Sequence, residues 1–294
     1  MYANVNGTKI FFDVEGLEYV PDGPKMRQRP VCFVLHGGPG GEHANFLPDT
    51  SVLTDTMQLI YVDDRNCGRS ERGDITKSSM VQNVEDLEAL RKYLGLGKVF
   101  ILGHSYGGMK AQQYLAKYPE SLHGIMLVGT APKYDFRNSI GSVLEQRGTK
   151  EQIELFHSEK LYRGEIGYKE YMTAMASLYH FRYNTPEEKK TAHDGLYRCI
   201  KNADVTMQQN AEGNDMNTFD FIPALQQTKL PVMVVTGKYD HITPVEEGIR
   251  IHENTPGSEL HIIDDAAHEV FSDRPDAIFP LIRDFVNRNF PVQG

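Results

Sequence analysis

One serine stands in a sequence context that could make it a nucleophile. The residues Gly-His-Ser-Tyr-Gly at 103–107 directly follow an apolar run at 99–102, and helix-compatible residues continue to Tyr118. A strand, a sharp turn and a helix form the context of a nucleophile elbow, in which small residues expose the serine Oγ above the sheet. We predict that Ser105 is the nucleophile and that the backbone N–H of Tyr106 donates to the oxyanion.

Serine is not nucleophilic at neutral pH without a base, so a histidine and an orienting acid should follow it. Asp240 comes after the apolar run at 232–235, and His268 comes after the run at 260–263. Both therefore stand at carboxyl ends of predicted strands, where open α/β sheets build their sites. We predict that His268 is the general base and then acid, and that Asp240 fixes its tautomer.

Other residues could fill these two roles. The chain has 11 histidines, of which His261 falls inside a predicted strand and His241 precedes the final strand. Asp264 and Asp265 remain alternatives to Asp240. The order Ser, Asp, His along the chain favours the set Ser105, Asp240 and His268.

A second glycine-rich loop follows the early apolar run at 31–35. Residues 36–41 read His-Gly-Gly-Pro-Gly-Gly, and glycines allow backbone N–H groups to approach a developing alkoxide. We predict that Gly37 supplies the second oxyanion donor, with Gly38 as the alternative. His36 is interpreted as a brace for this loop. Together the two loops and the three side chains indicate a serine hydrolase.

Composition excludes several other classes of protein. The 294 residues carry 31 Lys and Arg against 40 Asp and Glu, a formal net charge of −9. This acidic balance argues against binding to nucleic acid or to an anionic membrane, and no apolar run is long enough to span a bilayer. The three cysteines are odd in number and the N-terminus lacks a signal-peptide pattern. A cytoplasmic protein is therefore expected.

The elements that position these residues alternate between strand and helix. Short apolar runs without polar alternation are typical of buried parallel strands, and they occur at 31–35, 59–62, 99–102, 125–128, 232–235 and 260–263. Helical spacing follows Ser79 up to Gly95 and follows Pro275, and residues 7–12 indicate an edge hairpin. The pattern predicts an α/β fold with a mostly parallel central sheet flanked by helices.

One segment breaks this alternation. Residues 132–222 contain no convincing buried strand and carry seven of the 15 tyrosines. We predict that they form an inserted helical cap over a core domain made of residues 1–131 and 223–294. The tyrosines either line a substrate pocket or pack the helices of the cap.

The motifs together resemble those of the α/β-hydrolases, and more narrowly those of the prolyl iminopeptidases. The resemblance rests on residues 36–40 (HGGPG), 63–70 (DDRNCGRS), 103–108 (GHSYGG) and 237–244 (GKYDHITP). By length and motif spacing the chain is most similar to the tricorn-interacting aminopeptidases and related amino-acid amidases. The resemblance implies cleavage of an amide next to a free α-amino group, without a metal or an organic cofactor.

The chain departs from this family where the substrate's ammonium group would bind. His241 stands where the relatives carry a glutamate, and a second glutamate-bearing cap motif is replaced by residues 210–216. A buried ammonium needs a paired anion, so Asp215 and Glu212 are the predicted substitutes. Gly38 and His241 complete the predicted substrate-binding residues.

Three functions follow from these observations. The first is an aminopeptidase or amino-acid amide hydrolase, and the second is an esterase or lactonase that uses the same three side chains with an apolar acyl pocket. The third is a non-catalytic receptor, which would have no need of an activated serine. The expected partner is a small peptide, amino-acid amide or ester. No metal or nucleotide-phosphate motif is present in the sequence.

Overall fold

A mixed sheet of eight strands forms the centre of the structure. The computed structural model describes residues 1–161 and 164–290, with Ser142, Leu196 and Tyr197 described by their backbone alone. The strands are β1 (Tyr2–Val5), β2 (Thr8–Glu15), β3 (Tyr19–Asp22), β4 (Lys25–Gln28), β5 (Val31–Leu35), β6 (Gln58–Val62), β7 (Val99–His104), β8 (Leu122–Val128), β9 (Val232–Gly237) and β10 (Glu259–Ile263). All six predicted runs lie within β5–β10.

The order of strands in the sheet is β1-β2-β6-β5-β7-β8-β9-β10, and β3 pairs with β4 in a separate hairpin. Neighbours from β6 to β10 are parallel, whereas β1 and β2 add an antiparallel edge. The carboxyl ends of β5, β7, β8, β9 and β10 therefore meet at one edge of the sheet. This arrangement confirms the predicted α/β fold class.

Helices cover both faces of the sheet. They are α1 (Met80–Tyr93), α2 (Tyr106–Lys117), α3 (Ser142–Arg147), α4 (Lys150–His157), α5 (Tyr168–Tyr179), α6 (Pro186–Arg198), α7 (Ala203–Asn210), α8 (Ile222–Gln227), α9 (Val245–Glu253), α10 (Val270–Asp273) and α11 (Pro275–Asn289). Short 3-10 helices lie at His43–Phe46, Asp49–Asp55, Ile75–Lys77, Pro119–Ser121, Tyr134–Ser139 and Asp215–Asn217. None of the described helices combines the length and the apolar content needed to cross a bilayer.

Alternate side chains of each central strand enter two separate cores. Phe33 and Leu35 of β5 pack in the cluster that includes α1 and α2, while Val34 of the same strand packs in the cluster that includes α11. Successive side chains of a strand point to opposite faces, so a strand covered on both faces must be apolar throughout. This explains the uninterrupted apolar runs of the sequence.

The ends of α1 follow from local sequence signals. The Ser79 Oγ accepts a hydrogen bond from the Gln82 N–H at 3.1 Å, which satisfies one of the free donors at the start of the helix. At the other end Gly95 adopts a φ of +67°, a conformation that glycine takes without steric cost. The predicted helix therefore begins and ends where these residues require.

Residues 132–222, which we call the cap segment, contain α3 to α7 and have a small core of their own. That core is built around Leu144, Tyr171, Met175 and Leu178. The division of the chain into a core domain and a cap stays an interpretation. Of the seven tyrosines noted in this segment, Tyr162 lies outside the described residues and Tyr197 is described without its side chain.

Candidate active site

Ser105 lies in a strained turn between β7 and α2. Its φ is 56° and its ψ is −121°, a conformation that costs a non-glycine residue on the order of 1–3 kcal/mol. The end of β5 packs so closely against this turn that a Cβ on Gly107 would lie 1.9 Å from the Leu35 carbonyl oxygen. Glycine at 107 thus allows the turn that holds Ser105 at the carboxyl edge of the sheet.

His268 and Asp240 form a buried pair. The His268 Nδ1–H donates to Asp240 Oδ2 at 2.8 Å. Asp240 Oδ1 accepts the N–H groups of Ile242 and Thr243 at 2.8 and 2.9 Å, and the Thr243 hydroxyl donates to Oδ2. Every contact holds the carboxylate in place, so the imidazole is fixed in the tautomer that leaves Nε2 free to accept a proton.

His268 and Asp240 each stabilise the charged form of the other. Burial alone would lower the pKa of His268, but the negative charge of Asp240 and their hydrogen bond raise it above its ordinary value. Burial alone would raise the pKa of Asp240, but His268 and the Thr243 N–H hold it below its usual range. The pair is therefore well suited to stabilise an imidazolium ion.

His104 gives His268 a further support that the sequence did not reveal. Its Nε2–H donates to the His268 carbonyl oxygen at 2.9 Å, and the centroids of the two rings are 4.8 Å apart. Burial lowers the pKa of His104, so its ring is neutral. His104 occupies the variable position before Ser105 in the elbow, where no sequence pattern indicates such a role.

The two predicted oxyanion donors flank Ser105. Tyr106 is the first residue of α2, so its N–H has no acceptor within the helix. A Cβ on Gly37 would lie 3.3 Å from the Ser105 Cβ, which places the Gly37 backbone beside the serine. The Asp64 N–H donates to His36 Nε2 at 3.2 Å, so His36 Nδ1 carries the proton and donates to the Gly37 carbonyl oxygen at 2.8 Å. His36 thus braces this loop.

A cavity of about 440 Å³ opens between these residues and the cap segment. Ser105, His268, Tyr106, Gly37 and Gly38 all line it. The volume is within the range of small-molecule sites. The structure therefore brings the candidate nucleophile, base and oxyanion donors to one cavity, with Asp240 behind His268.

Comparisons with known proteins bear on the fold of the chain. A family model described as the alpha/beta hydrolase fold matches residues 30–149. The proline iminopeptidase PfmaB of Pestalotiopsis fici is 28% identical over 98% of this chain and 99% of that protein. The structure of a proline iminopeptidase from Mycobacterium smegmatis superposes with a TM-score of 0.75 at 18% identity, covering 98% of each chain. The chain has the α/β-hydrolase fold.

The resemblance to the prolyl iminopeptidases is likewise confirmed by these relatives. The same scaffold also carries other activities, since Est816, an N-acyl homoserine lactone degrading enzyme, superposes with a TM-score of 0.74 at 20% identity. That match covers 97% of this chain and 100% of the other. The comparisons support a hydrolytic enzyme with the α/β-hydrolase fold.

Three of the predicted substrate-binding residues, Asp215, Glu212 and His241, do not line this cavity. Asp215 Oδ2 accepts the N–H of Val81 at the start of α1, and Glu212 is exposed on the neighbouring turn. His241 is buried with its ring edge-on to Tyr179, at a centroid distance of 4.8 Å. Burial lowers the pKa of His241 to about 3. It is therefore uncharged, and of the four predicted residues Gly38 lines the cavity.

The acidic side chains that do line the cavity are Glu42, Glu159 and Glu269. Sequence reasoning missed them because none stands in the family's glutamate motifs. Glu269 follows His268 directly, and its N–H donates to the Tyr179 carbonyl oxygen at 3.0 Å. Glu42 is only 3% exposed, and burial raises the pKa of its carboxyl group.

Asp273 links the cap segment to the loop that carries His268. One carboxylate oxygen accepts the N–H groups of Ala267 and Phe181, both at 2.8 Å, and the other accepts the N–H of Arg182 at 3.1 Å. The carboxylate thus joins two segments that are about 90 residues apart along the chain. In the sequence, Asp273 is distinguished only by its place two residues before Pro275, where the predicted helix begins.

Two groups of described residues have donor atoms close enough for a metal ion, namely His36 with Asp64 and Cys67, and Glu42 with His43 and Asp63. Both oxygens of Asp64 already accept hydrogen bonds from Lys110 Nζ at 2.7 Å. Asp63 Oδ1 accepts the His43 N–H and Nδ1–H. Protein donors therefore satisfy these carboxylates, and the expected absence of a metal stays a prediction.

Proposed function

We propose that this protein is a serine hydrolase that cleaves an amide bond next to a free α-amino group through an acyl-enzyme on Ser105. The main support for this proposal is that Ser105 and His268 line one cavity, and that the His268 Nδ1–H donates a hydrogen bond to the buried Asp240. The similarity to proline iminopeptidases over nearly the whole chain supports the choice of substrate.

Each of these groups has a role in the proposed mechanism. His268 Nε2 accepts the proton of the Ser105 hydroxyl as Oγ attacks the scissile carbonyl carbon, and the N–H groups of Tyr106 and Gly37 bind the oxyanion. The intermediate collapses when His268 returns the proton to the leaving amine. Water then attacks the acyl-enzyme with the same base, releases the acid and restores Ser105. Asp240 stabilises the imidazolium in both halves.

Glu269 is the carboxylate that we assign to the substrate's ammonium group, with Glu42 as a second anion. Glu269 lines the cavity next to His268, and its charge helps to raise the pKa of His268. An α-ammonium is attached one carbon from the scissile carbonyl, so its partner must lie close to the base. Pairing with a carboxylate offsets the desolvation of the ammonium in the cavity.

A Glu269→Gln substitution tests this assignment. It is expected to lower kcat/KM for a free-amine amino-acyl anilide by about 10- to 100-fold, since a hydrogen bond between charged groups is lost. Cleavage of the N-acetylated anilide or of a nitrophenyl ester should change less than threefold. Glu253→Gln, on the exposed surface of α9, is the control. Equal losses on free and acetylated substrates would reject the assignment.

The pH profile of kcat/KM should show an acid limb set by His268. The base must be neutral to accept the serine proton, so activity rises as the pH rises through the His268 pKa. Because Asp240 raises that pKa, the half-maximum should lie above the ordinary histidine value of about 6.5. Measurement between pH 5 and 9 with the nitrophenyl ester checks this. A limb well below pH 6 would contradict the pairing with Asp240.

An esterase or lactonase remains the second candidate function. The observation that favours it is the apolar part of the cavity, to which Met109, Phe156, Met172 and Ile242 contribute. Such a lining suits an uncharged acyl group. The same triad chemistry applies, and turnover of neutral esters without amides would distinguish this candidate.

We further propose a cytoplasmic location and a small peptide or amide substrate. All three cysteines, Cys32, Cys67 and Cys199, are unpaired and buried, as suits a reducing compartment. The cavity volume of about 440 Å³ suits a ligand of a few amino-acid residues.

A further inference from the structure

A lysine of the cap segment lines the active-site cavity without an anionic partner. Lys201 contributes to the cavity wall, and its Nζ lies 4.3 Å from the centroid of the Tyr168 ring. Within the described ranges, the ionisable groups acting on this ammonium are the thiols of Cys67 and Cys199, and no carboxylate is among them. The contact with an aromatic ring compensates only part of the cost of desolvating a cation.

The backbone on both sides of Lys201 is held on the glycine-rich loop. Glu42 Oε1 accepts the Ile200 N–H at 2.6 Å, and the Gly40 carbonyl oxygen accepts the Asn202 N–H at 2.8 Å. Gly40 has a φ of +83°, and a Cβ there would lie 2.3 Å from the Asn202 carbonyl oxygen. This close approach requires glycine and fixes the position from which the Lys201 side chain enters the cavity.

The second cation of the cavity wall has neutral partners too. Arg137 lines the cavity and donates to the side-chain amide oxygens of Asn210 and Asn217. An amide oxygen satisfies a hydrogen bond but leaves the positive charge without an anion. The cavity wall therefore has Glu269 beside His268, and its cap side carries Glu159 together with two cations, Lys201 and Arg137, whose described partners are neutral.

We propose that Lys201 anchors a subsite for a carboxylate group of the substrate. A carboxylate would give the ammonium the anion that the protein does not supply, with a charge-assisted hydrogen bond. Such a group has two sources, namely the free carboxyl terminus of a dipeptide or the acidic side chain of the aminoacyl residue. The substrate class is thus a short zwitterionic or acidic peptide, an extension that rests on the proposed function for its amine half.

The protonation of Lys201 is consistent with this subsite. Burial lowers the pKa of Lys201 to about 8, so the side chain is mostly charged at neutral pH and loses its charge as the pH rises above 8. Its neighbours do not titrate in that range, because burial raises the pKa of Cys199 to about 12 and raises those of Cys67 and Tyr168 further. Preference for a carboxylate should therefore decline between pH 7 and 9.5.

Binding measured without turnover tests the subsite separately from the proposed function. Isothermal titration calorimetry with the Ser105→Ala protein would compare prolyl-phenylalanine with its C-terminal amide, and glutamyl anilide with glutaminyl anilide. At least one acid should bind about tenfold or more tightly than its neutral partner at pH 7. The pair that shows the difference identifies the source of the carboxylate.

Adding Lys201→Met to this protein should reduce that difference to less than twofold, whereas Lys201→Arg should retain most of it. Lys229→Met, on an exposed loop, should leave it unchanged. The subsite is rejected if acids and neutral partners bind equally, if neither acid binds, or if the difference survives in Lys201→Met. Failure of the wild-type protein to cleave free-amine anilides would refute the proposed function without altering these binding ratios.

Discussion

Replacing Ser105 with alanine is expected to lower kcat by roughly 10³- to 10⁶-fold on any amide or ester that the protein hydrolyses. The acyl-enzyme cannot form without the Oγ atom, and only binding and the oxyanion donors would still assist attack by water. Ser and Ala share the cost of the positive φ at this position. The fold should therefore persist, with a thermal midpoint within a few degrees of the wild type.

Steady-state kinetics on a nitrophenyl ester and on a free-amine anilide would measure this loss. Ser258→Ala is the matched control, because Ser258 precedes β10 and so lies at the edge of the sheet opposite the site. Its activity should stay within twofold of the wild type. If a well-folded Ser105→Ala protein retained more than a tenth of wild-type activity, Ser105 would not be the nucleophile.

Asp240→Asn should have the next largest effect, a loss of roughly 10³- to 10⁴-fold in kcat. The N–H groups of Ile242 and Thr243 donate to Oδ1, so an asparagine would keep its amide oxygen there and turn its NH₂ group toward His268. His268 Nδ1 would then accept instead of donate, and Nε2 would carry the proton. A histidine in that tautomer cannot accept the proton of Ser105.

The alternative acids serve as controls for this variant. Asp264 is exposed and pairs with Lys238 at 2.8 Å, and the neighbouring Asp265 is exposed as well. Substituting either residue with asparagine should leave kcat within threefold of the wild type. If Asp264→Asn lost as much kcat as Asp240→Asn, the orientation of His268 would not depend on Asp240 alone, and the assignment of the acid would be wrong.

Local sequence patterns, namely apolar runs and glycine-rich turns, predict the strands and the elbow of the site. Apolar runs such as β5 and β7 reflect burial on both faces, and the glycines at 103 and 107 reflect the space that the elbow lacks. Each of these signals is contained in a short stretch of sequence, such as residues 99–107 for β7 and the elbow. The runs before Ser105, Asp240 and His268 predict that all three residues stand after the carboxyl ends of strands.

The contacts that the sequence did not predict join distant segments. His104 supports His268 across 164 residues, and Asp273 reaches the cap segment across 92. Neither His104 nor Asp273 belongs to a repeating sequence pattern that would predict such a contact. Its existence depends on how the loops fold over one another, which hydrophobic patterning leaves undetermined.

The predicted substrate-binding residues illustrate the same limit. Asp215 and Glu212 occupy the stretch that replaces the family's glutamate motif, yet the Asp215 carboxylate faces the start of α1. Glu42, Glu269 and Lys201 line the cavity instead. Docking of the cap segment on the glycine-rich loop, through Asn202 and Gly40, decides which charges reach the cavity.

Recognition of the free α-amino group of the substrate distinguishes the proposed function from that of an esterase or lactonase. It is tested most directly by the kcat/KM of the wild-type protein for prolyl or phenylalanyl nitroanilide, for the N-acetylated counterpart and for a short-chain nitrophenyl ester. We expect the free-amine anilide to be cleaved at least about 100-fold faster than its acetylated form, with turnover of both lowered at least about 10³-fold in Ser105→Ala. Turnover of the ester alone would contradict the proposed function and make the protein an esterase or lactonase.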